Sequence, residues 1–389
     1  MFDSIIIGGG IAGLLTAIRL SMAGKKVLVI DKDKIGSGST SSNHGMVHSG
    51  ALYTSQHGHI VKQCQEAQKA FSELLHNAEI PCNDSVYISS LEKLNQFTSK
   101  LDTYGYSYKY LSNDAVPELN KKALKKYKMI SIKERIFSSE EILKILTSHC
   151  LNNNVSFLLG IKINNLLISE GKIKGINYGL NKVITSSNVI IACGLGTTQL
   201  LRSFRSYYCK WLKSRLDMMV YLPHASLKRG LIFADLDKPI LMPAINNSSL
   251  GSYFGGIQPI IQGDRKFAVD FDKAKDLIDM INLYFNKELV NSKDSHLYMC
   301  GKTDFTGSKH TEKGFINPGF HIIDHHQYDK IEGLYTIITG KMTLAFHASR
   351  EVCEKILKTK LELVIPDKKV IQLNKDMFTV APWKNVSEI

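Results

Sequence analysis

The stretch DSIIIGGGIAGLLTAIRLSMAGKKVLVIDKD, residues 3–33, decides how this chain begins to fold. Ser4 to Ile7 is a short apolar run of the buried-strand type, Ile11 to Ala23 carries helical periodicity, and Lys26 to Ile30 is a second strand closing on Asp31. Between the first strand and the helix, Gly8, Gly10 and Gly13 spell G-x-G-x-x-G. Gly8 permits the tight turn and Gly10 lets backbone approach a diphosphate. Ile11, Ala12 and Gly13 then present the amides of a helix N-terminus to its negative charge. Ala17 and Gly24 are small where the helix must pass close to the sheet, and Asp31, eighteen residues after Gly13, is placed to accept hydrogen bonds from ribose hydroxyls, with Lys32 beside it. The unit is a Rossmann-type dinucleotide-binding strand–helix–strand.

The chain of 389 residues is long enough for two domains, and 44% apolar with 22% charged residues is the composition of a soluble globular protein. Forty-nine Lys and Arg against 36 Asp and Glu leave a net charge of +13, which favours anionic ligands. The lysine-rich run at Asn120 to Lys128 reads as a solvated helix face, without aromatic interleaving, so no nucleic acid partner is expected. Seven dispersed cysteines contain no C-x-x-C pair; they fit reduced thiols in a cytoplasmic protein and no zinc or iron–sulfur site. No membrane span is expected, because no run of about 18 apolar residues occurs. Peripheral membrane contact enters only if a quinone is the electron acceptor.

Downstream, Ile60, Cys64, Ala67, Phe71 and Leu74 recur at helical spacing, and Ser138 with Glu141 forms a capping box for another helix. A meander of strands follows, closing on a buried strand from Val189 to Ala192. Beyond Thr198, DMMVYLP, GLIFAD, PILMPAI and KFAVDF read as strands, followed by a helix around Lys275 to Leu289; late in the chain, Tyr335 to Ile338 is a strand, Thr339 to Lys341 a turn and Met342 to Leu357 a helix. The fold class is therefore α/β, with α+β character: a Rossmann-type, glutathione-reductase-like domain built from residues 1–82, 136–204 and 314–389, into which a β-rich substrate domain, residues 83–135 and 205–313, is inserted. Nicotinamide dehydrogenases usually keep the nucleotide unit contiguous, so this interleaving points to FAD.

The quoted start and three later stretches, STSSNHGMVHSGALY (39–53), NVIIACGLG (188–196) and GFHIIDHHQYDKIEGLYTIITGKMT (319–343), resemble the D-amino-acid-oxidase superfamily of FAD oxidoreductases. Within it they are most similar to the FAD subunit of anaerobic glycerol-3-phosphate dehydrogenase, with its N-H-G-x-x-H-S-G-A-R-Y and G-G-K-x-x-T-Y-R motifs; the L-2-hydroxyglutarate dehydrogenases share the H-x-G-x-Y pattern. The resemblance implies that residues 38–54 run beside the flavin ring. Ser39, Thr40, Ser41 and Ser42 then bond pyrophosphate and ribityl oxygens, His44 orders the loop, and Gly45 and Gly50 let backbone lie against the ring. It also sets Ala192 and Gly194 by the cofactor, and Gly340, Lys341, Met342 and Thr343 at the flavin edge, where helix amides and the Lys341 cation stabilise charge on reduced flavin.

His48 is the candidate base, since an imidazole with a pKa near ~6.5 accepts a proton at neutral pH. Tyr53, Lys302 and His347 are further pocket candidates. His325 and His326 lack the partners a metal needs. Three departures bear on the substrate: Leu52 and Phe346 stand where the glycerophosphate family has arginines, and Lys302 replaces a third. Bidentate recognition of a phosphate is thereby lost, at ~1.5–3 kcal/mol per charge-assisted bond. The expected reaction is FAD-dependent oxidation of a small polar CH–OH substrate, with amine or amino-acid oxidation as the alternative and oxygen, a quinone or a redox protein as electron acceptor.

Overall fold

A computed structural model describes residues 1–55, 57–235, 237–259 (254–259 by backbone alone), 270–307, 319–366 and 369–384. Strand β1 (Phe2–Ile7), helix α1 (Ile11–Met22) and strand β2 (Val27–Asp31) form the expected opening unit. β1 lies between β2 and the strand Lys182–Ile191, parallel to both, with Ile5 opposite Leu28 and Val189 and Ile7 opposite Ile30 and Ile191. The sheet continues through Ser156–Leu159 beyond β2, and through Leu334–Ile338 and then the antiparallel His321–Asp324 beyond Lys182–Ile191.

Strand periodicity explains why so many isoleucines are needed here. Ile6, Val29 and Ile190 face α1 and the helices Ser139–Asn152 and Ala345–Leu357, whereas Ile5, Ile7, Leu28, Ile30, Val189 and Ile191 face a second core containing Tyr208 and Trp211. Both faces are buried, so the strands carry apolar residues without a polar alternation.

Two glycines of the turn are sterically required. A Cβ on Gly8, which has φ of +119°, would stand 2.4 Å from the Ala192 carbonyl oxygen, and one on Gly13 would stand 2.0 Å from the Gly8 carbonyl oxygen. The first strand, helix and sheet are therefore closer together at this corner than any side chain allows.

A second sheet of eight strands runs in the order His296–Phe305, Leu212–Leu222, Ser249–Pro259, Pro239–Pro243, Leu231–Phe233, Ser85–Ser89, Lys128–Ile132, Tyr108–Leu111. The helix Phe271–Tyr284 covers one face with Ala274, Leu277 and Ile281. Asp270 starts it, accepting from the amides of Asp272 and Lys273 at 3.1 and 3.2 Å; this cap moves the helix ahead of the expected Lys275 to Leu289. The KFAVDF strand expectation falls largely on residues 266–269, which lie outside the described residues, and Phe271 is helical.

Other boundaries shift for similar local reasons. α1 ends at Met22 because Gly24, at φ of +76°, turns the chain left-handed. The buried strand expected over Val189 to Ala192 extends back to Lys182, where its outer half pairs with Lys172–Tyr178. The expected helix at Met342 begins as a 3-10 turn over Met342–Leu344 and becomes α-helical at Ala345.

Candidate active site

At the diphosphate end, the Asp31 carboxylate closes the first turn: Gly9 N donates to Oδ2 at 2.7 Å and Asp33 N to Oδ1 at 3.0 Å. Burial raises the pKa of Asp31, against those two bonds. Thr40 Oγ1 accepts from Ile11 N at 3.2 Å, while Ala12 and Gly13 sit in the first turn of α1, where amides lack an intrahelical acceptor. A helix start whose N-cap, Gly10, carries no side chain, in a cradle that a Cβ at Gly8 or Gly13 would fill, fits a dinucleotide diphosphate. Ala192 forms the wall of this cradle beside Gly8, Gly194 follows at φ of +53°, and Lys32 is exposed, 4.0 Å from Asp33.

The hydroxyl run is bonded within the protein. Ser41 donates to Gly36 O at 2.7 Å, Ser42 to Gly38 O at 3.2 Å, and Ser39 to Gly301 O in the other sheet. These three hydroxyls direct their protons into the protein; they fold the segment and tie it across to the strand His296–Phe305, and Thr303 Oγ1 adds a bond to Gly194 O at 3.1 Å.

The flavin end brings residues 38–54 against the late turn. His48 N donates to Thr343 Oγ1 at 3.0 Å, and Asn43 Nδ2 reaches Met342 Sδ at 3.6 Å. Asn43 also caps its own loop, with Nδ2 donating to Thr40 O at 2.7 Å and Oδ1 accepting from Gly45 N at 2.7 Å. Gly340 must be glycine: at φ of +62° its Cβ would stand 2.4 Å from Gly319 O. Half-buried His44, His48, Tyr53 and Lys341 then lie side by side. The two imidazoles are 6.4 Å apart, His48 and Tyr53 are 6.2 Å apart, and Lys341 Nζ lies 5.1 Å from the Tyr53 ring centre.

Burial lowers the Lys341 ammonium to about 8. It also drives His44 down to about 3, helped by Lys302 and Lys341, and lowers His48 well below its usual value, helped by Lys341 and His44. Both imidazoles are thus neutral at pH 7, with a nitrogen free to accept a hydrogen bond, but burial makes them weaker bases than the ordinary imidazole expected from the sequence.

Opposite, Lys302 and Asp217 form an ion pair of 2.5 Å on neighbouring strands, and Arg215 bonds both Asp217 and Asp304. Burial would lower the Lys302 pKa, but Asp217 holds it above its usual value; burial would raise Asp217, but Lys302 and Arg215 keep it low. The charge of Lys302 is therefore shared within the protein.

Other residues singled out in the sequence, the pocket candidate His347 among them, sit elsewhere. His347 is 2% exposed, bonded through Nε2 to Gln63 O at 2.9 Å and stacked on Phe320. His325 is enclosed between Asp329 at 2.6 Å and Thr336 at 2.9 Å. Phe346 is core, packed on Phe71, and Leu52 packs at the edge of the second sheet's cluster. Sequence reasoning missed Asp217 and Glu134. Asp217 interrupts an apolar strand, a signal that was readable; Glu134 stands between Lys133 and Arg135 and looks like surface. Among the described residues no group of three or more His, Cys, Asp or Glu is arranged for a metal, and no helix is long and apolar enough to cross a membrane.

Three similarities extend this geometry. The chain is 31% identical over 81 residues to one subunit of the anaerobic glycerol-3-phosphate dehydrogenase of Escherichia coli K12, a match spanning 21% of this chain and only 15% of that protein. Glycine oxidase from Bacillus cereus superposes with a TM-score of 0.69 at 15% identity, covering 92% of this chain and 95% of that one. The glycerol-3-phosphate dehydrogenase of Bacillus halodurans, in complex with FAD, gives 0.66 at 15% identity, covering 92% of this chain and 64% of that one. At such identity these two structures establish the fold. The sequence profile of the FAD dependent oxidoreductase family matches residues 3–337, from β1 through to the strand that leads into the Lys341 turn. With a match of that extent the chain belongs to this family, as an oxidoreductase whose cofactor is FAD.

Proposed function

We propose that the protein oxidises a small polar substrate at a carbon bearing a hydroxyl, with residues 1–82, 136–204 and 314–389 holding FAD and residues 83–135 and 205–313 shaping the substrate side. When bound, FAD supplies the hydride acceptor. The chain does the rest. The amides of Ala12 and Gly13 receive the diphosphate, assisted by the turn glycines, and Asp31 takes the adenosine ribose. Lys341 and the amides of Met342 and Thr343 place positive potential at the flavin edge. His48, uncharged, takes the hydroxyl proton as the carbon gives up its hydride, and the product is a carbonyl. Tyr53 holds the space between His48 and Lys341, and His44 fixes the loop.

The observation that carries this reading is the 3.0 Å bond from His48 N to Thr343 Oγ1, because it joins the His48 segment to the turn that bears Lys341. A phosphorylated substrate is less well served: Leu52 and Phe346 offer no charge, and Lys302 is neutralised by Asp217.

Anaerobic mixing of the yellow protein with a panel of hydroxy compounds and amines, following loss of flavin absorbance, tests it. A hydroxy compound should bleach the flavin, and His48→Ala should slow that bleaching by about 10²–10⁴-fold with FAD retained. Bleaching by amines alone, or at an unchanged rate in His48→Ala, overturns the proposal; the first outcome would assign CH–NH oxidation.

A further inference from the structure

Ser49 follows His48 directly, and each of its polar groups is held. Its amide donates to Glu134 Oε2 at 2.6 Å, its hydroxyl donates to Glu134 Oε1 at 2.5 Å, and its carbonyl accepts from the Tyr106 hydroxyl at 2.7 Å. Glu134 sits between the strands Lys128–Ile132 and Arg135–Ile136, and the second of these pairs with Met46–Val47, just ahead of His48. It is 3% exposed. Two further donors reach the same carboxylate: the Tyr87 hydroxyl at 2.6 Å to Oε1 and Gln68 Nε2 at 3.3 Å to Oε2, with Gln68 also bonded to Val47 O at 2.8 Å.

Four donors around two oxygens suit a carboxylate; on protonation the Ser49 or Tyr87 hydroxyl would have to turn and accept. Among the described residues no cation pairs with it. Burial pushes the Glu134 carboxyl up to about 7, against the Ser49 and Tyr87 bonds. A buried carboxylate without a counter-charge is costly to keep for packing alone, and an apolar residue would fill this space more cheaply. What the arrangement does achieve is geometric: the peptide after His48 is fixed by Glu134, and the peptide before it by Thr343.

We propose that Glu134 is a positioning residue for the flavin site, setting the direction of the His48 imidazole through the two hydrogen bonds it accepts from Ser49. The inference rests on the FAD and His48 assignments above and adds a residue that touches neither cofactor nor substrate.

The test uses FAD-loaded protein with sulfite as the probe, a small nucleophile that adds to oxidised flavin and so samples the surroundings of His48 and Lys341. Glu134→Gln turns an acceptor into a donor facing Ser49 or Tyr87. It should keep FAD affinity within about threefold, change sulfite affinity by about tenfold or more, and alter the visible circular dichroism of the bound flavin. Glu134→Asp, which keeps the charge, should recover most of the difference. A lower unfolding temperature with sulfite affinity and dichroism at wild-type values would show a role in stability alone and overturn the proposal.

Should Glu134→Gln fail to fold, Ser49→Ala and Tyr87→Phe each remove one bond to the carboxylate, and wild-type sulfite affinity in both would overturn it equally. Because sulfite requires no proton transfer, an unchanged bleaching rate in His48→Ala would sink the base assignment while leaving this result to stand or fall independently.

Discussion

His48 and Lys341 lie close together with opposite demands on protonation: burial keeps His48 neutral, while it weakens the Lys341 cation without removing it at pH 7. Lys341 is a cation below about 8 and neutral above it, whereas His48 stays neutral through the physiological range. As pH rises through about 8, positive charge is lost beside the flavin, so sulfite affinity should fall over that interval. Lys341→Met should bind sulfite about tenfold or more weakly at pH 7 and show no such transition; a titration of bound-flavin absorbance with sulfite at several pH values measures it. A transition that persists in Lys341→Met would assign it to another group. Gly8, Gly13 and Asp31 were legible in the sequence because a diphosphate turn admits so few residue types there. The hydroxyls of residues 39–42 were legible as a polar loop but not in their partners, since Gly36, Gly38 and Gly301 become neighbours only after folding. Glu134 was invisible for the same reason, as its donors come from residues 49, 68 and 87.

The opening strand–helix–strand could be read almost residue by residue because three local signals agree: a buried-strand run, the glycine turn and a helical period. Its weak point is the contact between Gly13 and Gly8. Gly13→Ala places a methyl 2.0 Å from the Gly8 carbonyl oxygen, which a backbone neighbour cannot yield to without moving. The variant should purify with little or no FAD and lose about 1–3 kcal/mol in denaturant unfolding, read by cofactor content and by the unfolding midpoint. Normal FAD content would mean that the cradle does not govern binding. Element ends were less legible. The Asp270 cap, the left-handed Gly24 and the 3-10 start at Met342 each moved a boundary, and such local choices compete on an energy scale of about 1 kcal/mol.

Across the whole molecule, sequence order hides how the pieces meet. Strands of the first sheet come from residues 2–31, 156–191 and 321–338, and those of the second from 85–132 and 212–305, so each sheet is assembled from distant segments. The alternation of nucleotide-type and strand-rich stretches announced this division, while the joints between the sheets, Ser39 to Gly301 and Thr303 to Gly194, gave no sign in the sequence. Arg19 is a further long-range tie: buried in α1, it donates to the carbonyls of Glu362 at 2.7 Å and of Leu363, joining the first helix to the end of the chain. The loop of His44 and His48 is held against the turn of Lys341 by His48 N to Thr343 Oγ1 and Asn43 Nδ2 to Met342 Sδ. The most direct test is a crystal structure of the FAD-loaded protein. The diphosphate should lie at the α1 amides, with the flavin ring within about 4 Å of both the His48 segment and the Lys341 turn. A ring lying away from either segment, or purified protein that takes up no FAD, would contradict this placement.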